Sequence, residues 1–150
     1  IFSNFALQWC ENLPRLSAEL YRVLKPGGRI SIVIPGPQTL TELRSAWQQV
    51  DDRVHVNRFY ALSDWQAALQ QAGFCDLELV SEQRVQQHRS VRELLMELKQ
   101  VGAHNNNAGK QSTLTGKQQL KALYAAYEQF RVAPHSLPAS WEIISIRAIK

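Results

Sequence analysis

The chain has 150 residues, 45% of them hydrophobic, and a formal net charge of +4, which suits one domain with a buried core. No apolar run approaches the roughly 20 residues of a membrane span, so these features argue against an integral membrane protein. The chain begins with Ile1 and shows no signal-peptide pattern, so we expect it to be a piece of a longer protein. Cys10 and Cys75 lack metal-ligand spacing, and we expect reduced, buried thiols of a cytoplasmic protein, with a disulfide as the alternative.

The beginning of the chain predicts a strand followed by an amphipathic helix. Residues 1–3 have the composition of a strand end, and Pro14 suits the first turn of a helix. Apolar residues at helical spacing follow, and they define one apolar stripe: Leu13, Leu16, Leu20, Val23 and Leu24.

A Pro-Gly turn and a buried strand come next, and the rest of the chain is organised around them. Lys25-Pro26-Gly27-Gly28 stops the helix. The β-branched run Ile30 to Ile34 is apolar on both faces, which is typical of a strand in the middle of a parallel sheet. Pro35 and Gly36 end this strand at the carboxyl edge, where open α/β sheets bind their ligands.

Two helices separated by a loop are predicted after this strand. The spacing of Leu40, Leu43, Trp47 and Val50 indicates the first helix, and residues 51–59 form the loop. Ser63 and Gln66 are spaced as a capping box, and Gly73 is placed as the stop of the second helix.

The last part of the chain predicts two strands that flank a helical segment. Leu77 and Leu79 alternate with acidic residues, as on a strand with one solvated face. Ser90 with Glu93 and Thr115 with Gln118 are spaced as capping boxes of two helices, and the polar residues 103–116 between these helices predict a loop or lid. Residues 141–149 are apolar and β-branched, and predict the final strand.

Four motifs occur in an order that points to a known family. They are Phe2-Ser3-Asn4-Phe5-Ala6-Leu7-Gln8-Trp9-Cys10, Leu20-Tyr21-Arg22-Val23-Leu24-Lys25-Pro26-Gly27-Gly28, His55-Val56-Asn57-Arg58-Phe59 and Leu98-Lys99-Gln100-Val101-Gly102-Ala103-His104-Asn105. With them the chain resembles the malonyl-[acyl-carrier protein] O-methyltransferases of biotin synthesis over essentially its whole length. The Leu-Lys-Pro-Gly-Gly turn is shared by the wider methyltransferase superfamily, whereas the Lys-x-x-Gly-Ala-His-Asn element is more specific.

The resemblance implies an α/β fold. Residues 1–150 would form the C-terminal half of a Rossmann-like, seven-stranded class I methyltransferase, with strands four to seven and a helical insertion at about 86–140 between the last two. These two strands could pair antiparallel. The family's Gly-x-Gly-x-Gly cofactor loop is absent from the sequence, so the resemblance implies a truncated enzyme. Such a fragment would be inactive alone, and its unpaired sheet edge would favour self-association.

The family's cofactor is S-adenosylmethionine, and the resemblance implies a site for it after the first strand. Ser3, Asn4, Ala6 and Trp9 would line the cofactor, with small residues allowing close approach of the backbone and Trp9 supplying an aromatic wall. Core packing of Trp9 is the alternative.

The implied reaction methylates the free carboxylate of a malonyl thioester on acyl carrier protein. An alkyl carboxylate with a pKa near 4 is ionised at neutral pH, so no general base is needed and no catalytic residue is assigned. Arg58 is the predicted anchor of this anion, supported by His55 and Asn57, with a surface salt bridge as the alternative.

Further substrate contacts are predicted from the insertion. Lys99, His104 and Asn105 would cover the substrate, although a helix cap and a turn explain them equally well. The four histidines lack metal-ligand spacing, so no metal site is predicted.

Positive charge is concentrated in residues 84–131, which contain eight Lys or Arg residues and three Glu residues. The resemblance implies that this segment receives the acidic carrier protein, although a solvated helical face would carry the same charges. A nucleic-acid partner is not expected, because stacking aromatics are not interleaved with these cations. Two other functions remain open: a related methyltransferase acting on a small metabolite or a protein side chain, and a non-catalytic binding module for an acidic protein.

Overall fold

The computed structural model describes residues 1–101 and 116–150. The helices are α1 (Leu13–Val23), α2 (Thr41–Gln48), α3 (Leu62–Ala72), α4 (Val91–Gln100) and α5 (Lys117–Tyr127). The strands are β1 (Phe2–Asn4), β2 (Arg29–Pro35), β3 (Cys75–His88) and β4 (Leu137–Ile149). Short 3-10 helices follow β1 at Leu7–Trp9 and α5 at Glu128–Phe130.

The described strands form one mixed sheet in the order β1-β2-β4-β3. β2 is parallel to β1 and antiparallel to β4, in a register that runs from Arg29 opposite Ile149 to Pro35 opposite Ile143. The contacts Cys75 with Ile149 and Ser81 with Glu142 run in opposite directions along β3 and β4, so this pair is antiparallel too. β2 is thus an inner strand, as predicted, but only one of its two neighbours is parallel to it.

The chain divides into two compact units, which are described separately. The first comprises residues 1–37, 59–83 and 142–150, and the second comprises residues 38–58 and 84–141. Alternate residues of β2 are at most 2% exposed in the core of the first unit. Its other fully buried large side chains are Trp65 and Leu69 of α3 and Ile144 and Ile146 of β4.

The Pro-Gly turn before β2 is held by hydrogen bonds to the end of β4. Gly27 has φ +74°, a conformation that glycine adopts without strain, and its N–H donates to the Lys150 carbonyl at 3.0 Å. Lys150 N–H donates in return to the Gly28 carbonyl. The Lys150 ammonium donates to the carbonyls of Tyr21 and Leu24 at the C-terminus of α1, where a cation also complements the helix dipole. The predicted helix stop is therefore confirmed.

The core of the second unit lies between α2, α4 and α5. Leu123 and Tyr127 of α5 are fully buried. The Tyr127 hydroxyl donates to the Pro138 carbonyl at 2.8 Å, and burial, followed by the charge of Glu42, raises the pKa of this phenol. The Glu42 carboxylate accepts from Ser140 N–H at 3.0 Å, which fixes the start of β4 to α2.

The three predicted capping boxes have different outcomes: the N-cap Ser90 is confirmed, although the Glu93 carboxylate accepts from Arg89 N–H and not from Ser90 N–H, and the other two boxes are wrong. Ser90 caps α4 and accepts from Glu93 N–H. In α3 the pair Ser63 and Gln66 is displaced by Asp64, whose carboxylate accepts from Ala61 N–H at 2.9 Å. The helix starts at Leu62 because this side chain packs on the core of the first unit.

The second wrong capping box is that of α5. Gly116 is the N-cap and Gln119 accepts from its N–H at 3.2 Å, so the box is shifted by one residue from Gln118; Thr115 lies outside the described residues. The prediction of buried thiols is also wrong, since Cys10 is half-buried and Cys75 is exposed, although both are free as expected. Cys75 is exposed because β3 presents mostly solvated side chains along its length.

Candidate functional site

The carboxyl ends of β1 and β2 lie at the same sheet edge because the two strands are parallel. Asn4, the last residue of β1, is opposite Val33 of β2. The next residue, Phe5, has φ +48° and donates its N–H to the Val33 carbonyl at 2.8 Å. The chain therefore turns sharply away from the sheet at the position where the sequence predicts ligand-binding residues.

The four predicted cofactor residues lie together at this edge. Asn4 and Ala6 are exposed, and Trp9 is 39% exposed in the 3-10 helix that follows. Core packing of Trp9 is therefore not its role. The Ser3 side chain is half-buried, and its Oγ is shielded from solvent with no hydrogen-bond partner among the described residues.

Gln8 is a polar residue of this edge that the sequence analysis did not single out. Its Nε2 donates to the Phe5 carbonyl at 2.7 Å. Its Oε1 is shielded from solvent and, like Ser3 Oγ, is unpaired within the described part of the chain. Shielded oxygens without partners are rare because each one costs desolvation energy. Two of them near one sheet edge fit a site that supplies hydrogen bonds to a bound group. Gln8 stands in the Phe2–Cys10 motif, which is the signal that could have pointed to it.

A buried carboxylate packs against the end of β2. Glu142 is 9% exposed, and its Oε1 accepts from the Ser81 hydroxyl at 2.7 Å. A Cβ atom on Gly36 would lie 2.4 Å from the Glu142 Cδ, so the carboxyl group occupies the space that any other residue at position 36 would need. Gly36 thus allows Glu142 to approach the strand end. No local sequence signal joins residues so far apart.

In the second unit, His55 is held by two neighbours within the same segment. Its ring stacks on Trp47 with centroids 3.7 Å apart and planes 9° apart, and its Nε2 lies 2.7 Å from Asp51 Oδ1. Burial acts to raise the pKa of Asp51, but hydrogen bonds from His55 and from Arg53 N–H outweigh it and hold this pKa below its ordinary value. His55 thus orders the loop 51–58, a support that the Asp51-x-x-x-His55 spacing could have suggested.

Arg58 ends this loop with an exposed side chain. The described residues provide no hydrogen bond or ion pair to its guanidinium, so the predicted alternative of a surface salt bridge finds no partner among them. Burial and, secondly, the positive charge of Arg58 lower the pKa of Arg44. Two guanidinium groups whose positive charges repel one another are favourable surroundings for an anion. Asn57, the remaining residue of this motif, is half-buried.

The other predicted substrate residues are placed only in part. Lys99 is exposed on α4, whereas His104 and Asn105 lie outside the described residues. Within residues 1–101 and 116–150 no group of His, Cys, Asp or Glu is arranged to hold a metal ion. No helix in these ranges has the length and apolar character required to cross a membrane.

Comparison with known proteins relates this arrangement to a class of enzymes. Residues 1–32, from β1 into β2, match the family model described as a methyltransferase domain. A proposed methyltransferase of Bacillus halodurans superimposes with a TM-score of 0.59 over 99% of this chain and 62% of that chain, at 19% identity. The predicted class I methyltransferase fold is thereby confirmed.

Two curated relatives decide the family resemblance. The malonyl-[acyl-carrier protein] O-methyltransferase of Alcanivorax borkumensis is 40% identical over 100% of this chain and 50% of its own length. The biotin biosynthesis bifunctional protein BioHC of Cellvibrio japonicus is 50% identical over 95% of this chain and 28% of its own length. The chain is homologous to malonyl-[acyl-carrier protein] O-methyltransferases. The predicted resemblance is confirmed. The chain spans about half the length of the curated methyltransferases that it matches.

Proposed function

We propose that the protein carrying this chain transfers a methyl group from S-adenosylmethionine to the free carboxylate of a malonyl thioester on acyl carrier protein, in biotin synthesis. The observation that supports this proposal most is the 40% identity to a malonyl-[acyl-carrier protein] O-methyltransferase over the whole chain. This coverage includes the segments that carry the candidate site residues, so the similarity is not confined to the common sheet.

The edge of β1 is the part of the chain that we assign to the cofactor. Asn4, Ala6 and Trp9 are accessible there, and Ser3 Oγ and Gln8 Oε1 are shielded oxygens without partners in the described ranges. These groups fit a ligand that carries both an aromatic ring system and hydrogen-bond donors. When bound, S-adenosylmethionine supplies an electrophilic methyl group on a sulfonium centre.

Arg58 is the residue that we assign to the substrate carboxylate. The carboxylate oxygen attacks the methyl carbon as the carbon–sulfur bond breaks, and the products are a methyl ester and S-adenosylhomocysteine. Since the carboxylate is already ionised, the protein need only hold and align it. The exposed guanidinium can donate two parallel hydrogen bonds, one to each carboxylate oxygen, and each oxygen keeps a lone pair with which it can attack the methyl carbon. His55 and Asp51 would keep the loop ordered.

The direct test is methyl transfer by the full-length protein. Purified protein with labelled S-adenosylmethionine should convert malonyl-acyl carrier protein to its methyl ester, detected by intact-protein mass spectrometry. Acetyl-acyl carrier protein, which has no free carboxylate, is the matched control and should remain unlabelled. Label that appears only in small metabolites or in protein side chains would instead support the related methyltransferase alternative.

The compartment belongs to the same proposal. We assign the reaction to the cytoplasm, in agreement with the free thiols of Cys10 and Cys75. A non-catalytic binding module is the remaining alternative, and it predicts binding of the acidic carrier protein with no transfer of label.

A further inference from the structure

The outer face of α4 combines two cations with an apolar side chain. Arg92, Met96 and Lys99 are spaced so that they lie on one side of a helix, and all three are exposed. Met96 is 50% exposed, in contrast to Leu94 and Leu98 on the opposite side, which are buried in the core of the second unit. The face formed by Arg92, Met96 and Lys99 is hereafter the outer face of α4.

The carboxylates of α4 are engaged by partners that belong to the second unit. Glu93 Oε2 accepts from Arg89 N–H at 2.6 Å in front of the helix. Glu97 accepts from Gln86 Nε2 at 2.7 Å and lies 3.5 Å from His88 Nδ1 at the end of β3. The helix has equal numbers of acidic and basic residues. Among the described residues, hydrogen-bond partners are found for its acidic side chains but not for its basic ones.

The cations of this face have no such partners. The side chains of Arg92 and Lys99 make no hydrogen bond or ion pair with any described residue. Met96 thus lies between these two cations, with Arg92 one turn before it and Lys99 one turn after it, and its flexible thioether adapts readily to a partner surface. An apolar centre with charges at its rim is the usual composition of a specific protein interface.

We infer that the outer face of α4 docks an acidic protein surface, with Met96 at its centre and Arg92 and Lys99 meeting carboxylates of the partner. The inference rests on the proposed function, under which this partner is the acyl carrier protein. Complementary charge steers the encounter and fixes its orientation, and Met96 supplies the apolar contact.

The lysines of α5 provide a contrast within the same segment. Lys117 and Lys121 are exposed and unpaired within the described ranges, but their solvent-facing neighbours Gln118, Ala122 and Ala125 offer no large apolar side chain. Positive charge is thus common to both helices, whereas the combination of charge with an apolar centre is found on α4.

The experiment compares charge reversal on the two helices in the full-length protein. Arg92→Glu/Lys99→Glu and the control Lys117→Glu/Lys121→Glu change the net charge equally. The α4 double variant should raise KM for malonyl-acyl carrier protein at least tenfold at low salt, whereas the α5 variant should change it less than threefold. Turnover of malonyl-pantetheine, which lacks the protein, should stay within twofold in the α5 variant and in the single variant Arg92→Glu, which spares the predicted substrate contact Lys99. Met96→Ala should raise KM for the carrier substrate without changing its salt dependence, because it removes no charge.

The outcomes distinguish a failure of the docking inference from a failure of the proposed methyltransferase function. Equal KM increases for the two double variants, or equal losses on both substrates, would overturn the inference while leaving the methyltransferase function intact. A wild-type protein that methylates neither substrate would contradict the proposed function instead. Titration of unacylated holo-acyl carrier protein gives an affinity independent of turnover, and it should follow the same order of variants. Arg92→Gln/Lys99→Gln should give an intermediate increase in KM. If this variant alone loses binding to anionic lipid vesicles while its affinity for the carrier protein is unchanged, the outer face of α4 binds a lipid surface, and the docking inference is contradicted.

Discussion

Arg58 illustrates how a functional role can be separated from a structural one at the scale of a single residue. Its guanidinium is exposed and lacks a partner among the described residues, so little folding energy depends on it. Its neighbours behave differently, since His55 contacts Asp51 at hydrogen-bond distance and the His55 ring stacks on Trp47. A change at Arg58 should therefore affect activity, and a change at Asp51 should affect stability.

Arg58→Lys keeps the charge but removes the planar pair of donors. In the full-length protein we expect kcat/KM for the malonyl substrate to fall by an amount that corresponds to a loss of about 2–4 kcal/mol in transition-state stabilisation. The melting temperature should be unchanged. Arg53→Lys is the matched control in the same exposed loop. Kinetics within threefold of wild type for Arg58→Lys would place the carboxylate anchor elsewhere.

Asp51→Asn weakens the hydrogen bond to His55 and should lower the free energy of unfolding by about 1 kcal/mol at neutral pH. Because the pKa of Asp51 is lowered in the folded state, its contribution is present above the unfolded value near 3.8 and is lost as the pH falls through the folded value. Denaturant titrations should show a difference from wild type that is constant above about pH 5 and shrinks below pH 4. The neighbouring exposed Asp52→Asn is the matched control, and its free energy of unfolding at neutral pH should stay close to that of the wild type.

Gly36→Ala places a methyl group where the Glu142 carboxyl group lies. The carboxylate must then leave Ser81, and we expect a loss of about 1–3 kcal/mol in the free energy of unfolding. In a Glu142→Ala background the same substitution should cost clearly less, since the space is free. Strict additivity of the two changes would show that the clash does not determine the choice of glycine.

At the scale of elements, β1 is an edge strand of the described sheet. It is three residues long and pairs with β2 on one side, and Phe2 is 75% exposed. An edge with free backbone groups and an apolar side chain is a template for pairing with a second chain.

We predict that purified residues 1–150 self-associate through this edge and that Phe2→Lys reduces the association, because charge on an edge strand opposes strand pairing. Sedimentation velocity would measure both effects. Val23→Lys, which changes an equally apolar residue that is 56% exposed on α1, is the control and should leave association unchanged. A stable wild-type monomer at high concentration would contradict the prediction.

The elements also show which structural features could be predicted from sequence. Helical spacing and β-branched runs identified α1, β2 and β4 because periodicity records which face is buried. The N-cap Ser90 was predicted correctly, but the capping box at Ser63 was wrong because the N-cap of α3 lies two residues earlier, at Ala61, whose N–H donates to Asp64. The full length of β3 was missed because its side chains are mostly exposed and leave no apolar pattern.

The candidate site was predictable only where its residues are close in the chain. Ser3, Asn4, Ala6 and Trp9 belong to one motif, and the sheet edge brings them together without further contacts. Glu142 and Ser81 meet Gly36 only through the pairing of distant strands. Arg58 contributes to the lowered pKa of Arg44, which lies in a helix that was predicted solely from its apolar spacing.

At the scale of the whole molecule, the pairing of β2 with β4 joins residues 108 to 120 positions apart, from Pro35 with Ile143 to Arg29 with Ile149. A ribosome therefore releases β2 long before its antiparallel partner, and α4 and α5 are synthesised in the interval. Until β4 emerges, the nascent chain exposes one side of its most apolar strand, where a chaperone or a second nascent chain could bind. Sheet closure also brings the Lys150 ammonium to α1. Folding of the first unit is thus completed after translation of β4, and a ribosome that pauses within the insertion prolongs the period in which the chain can aggregate.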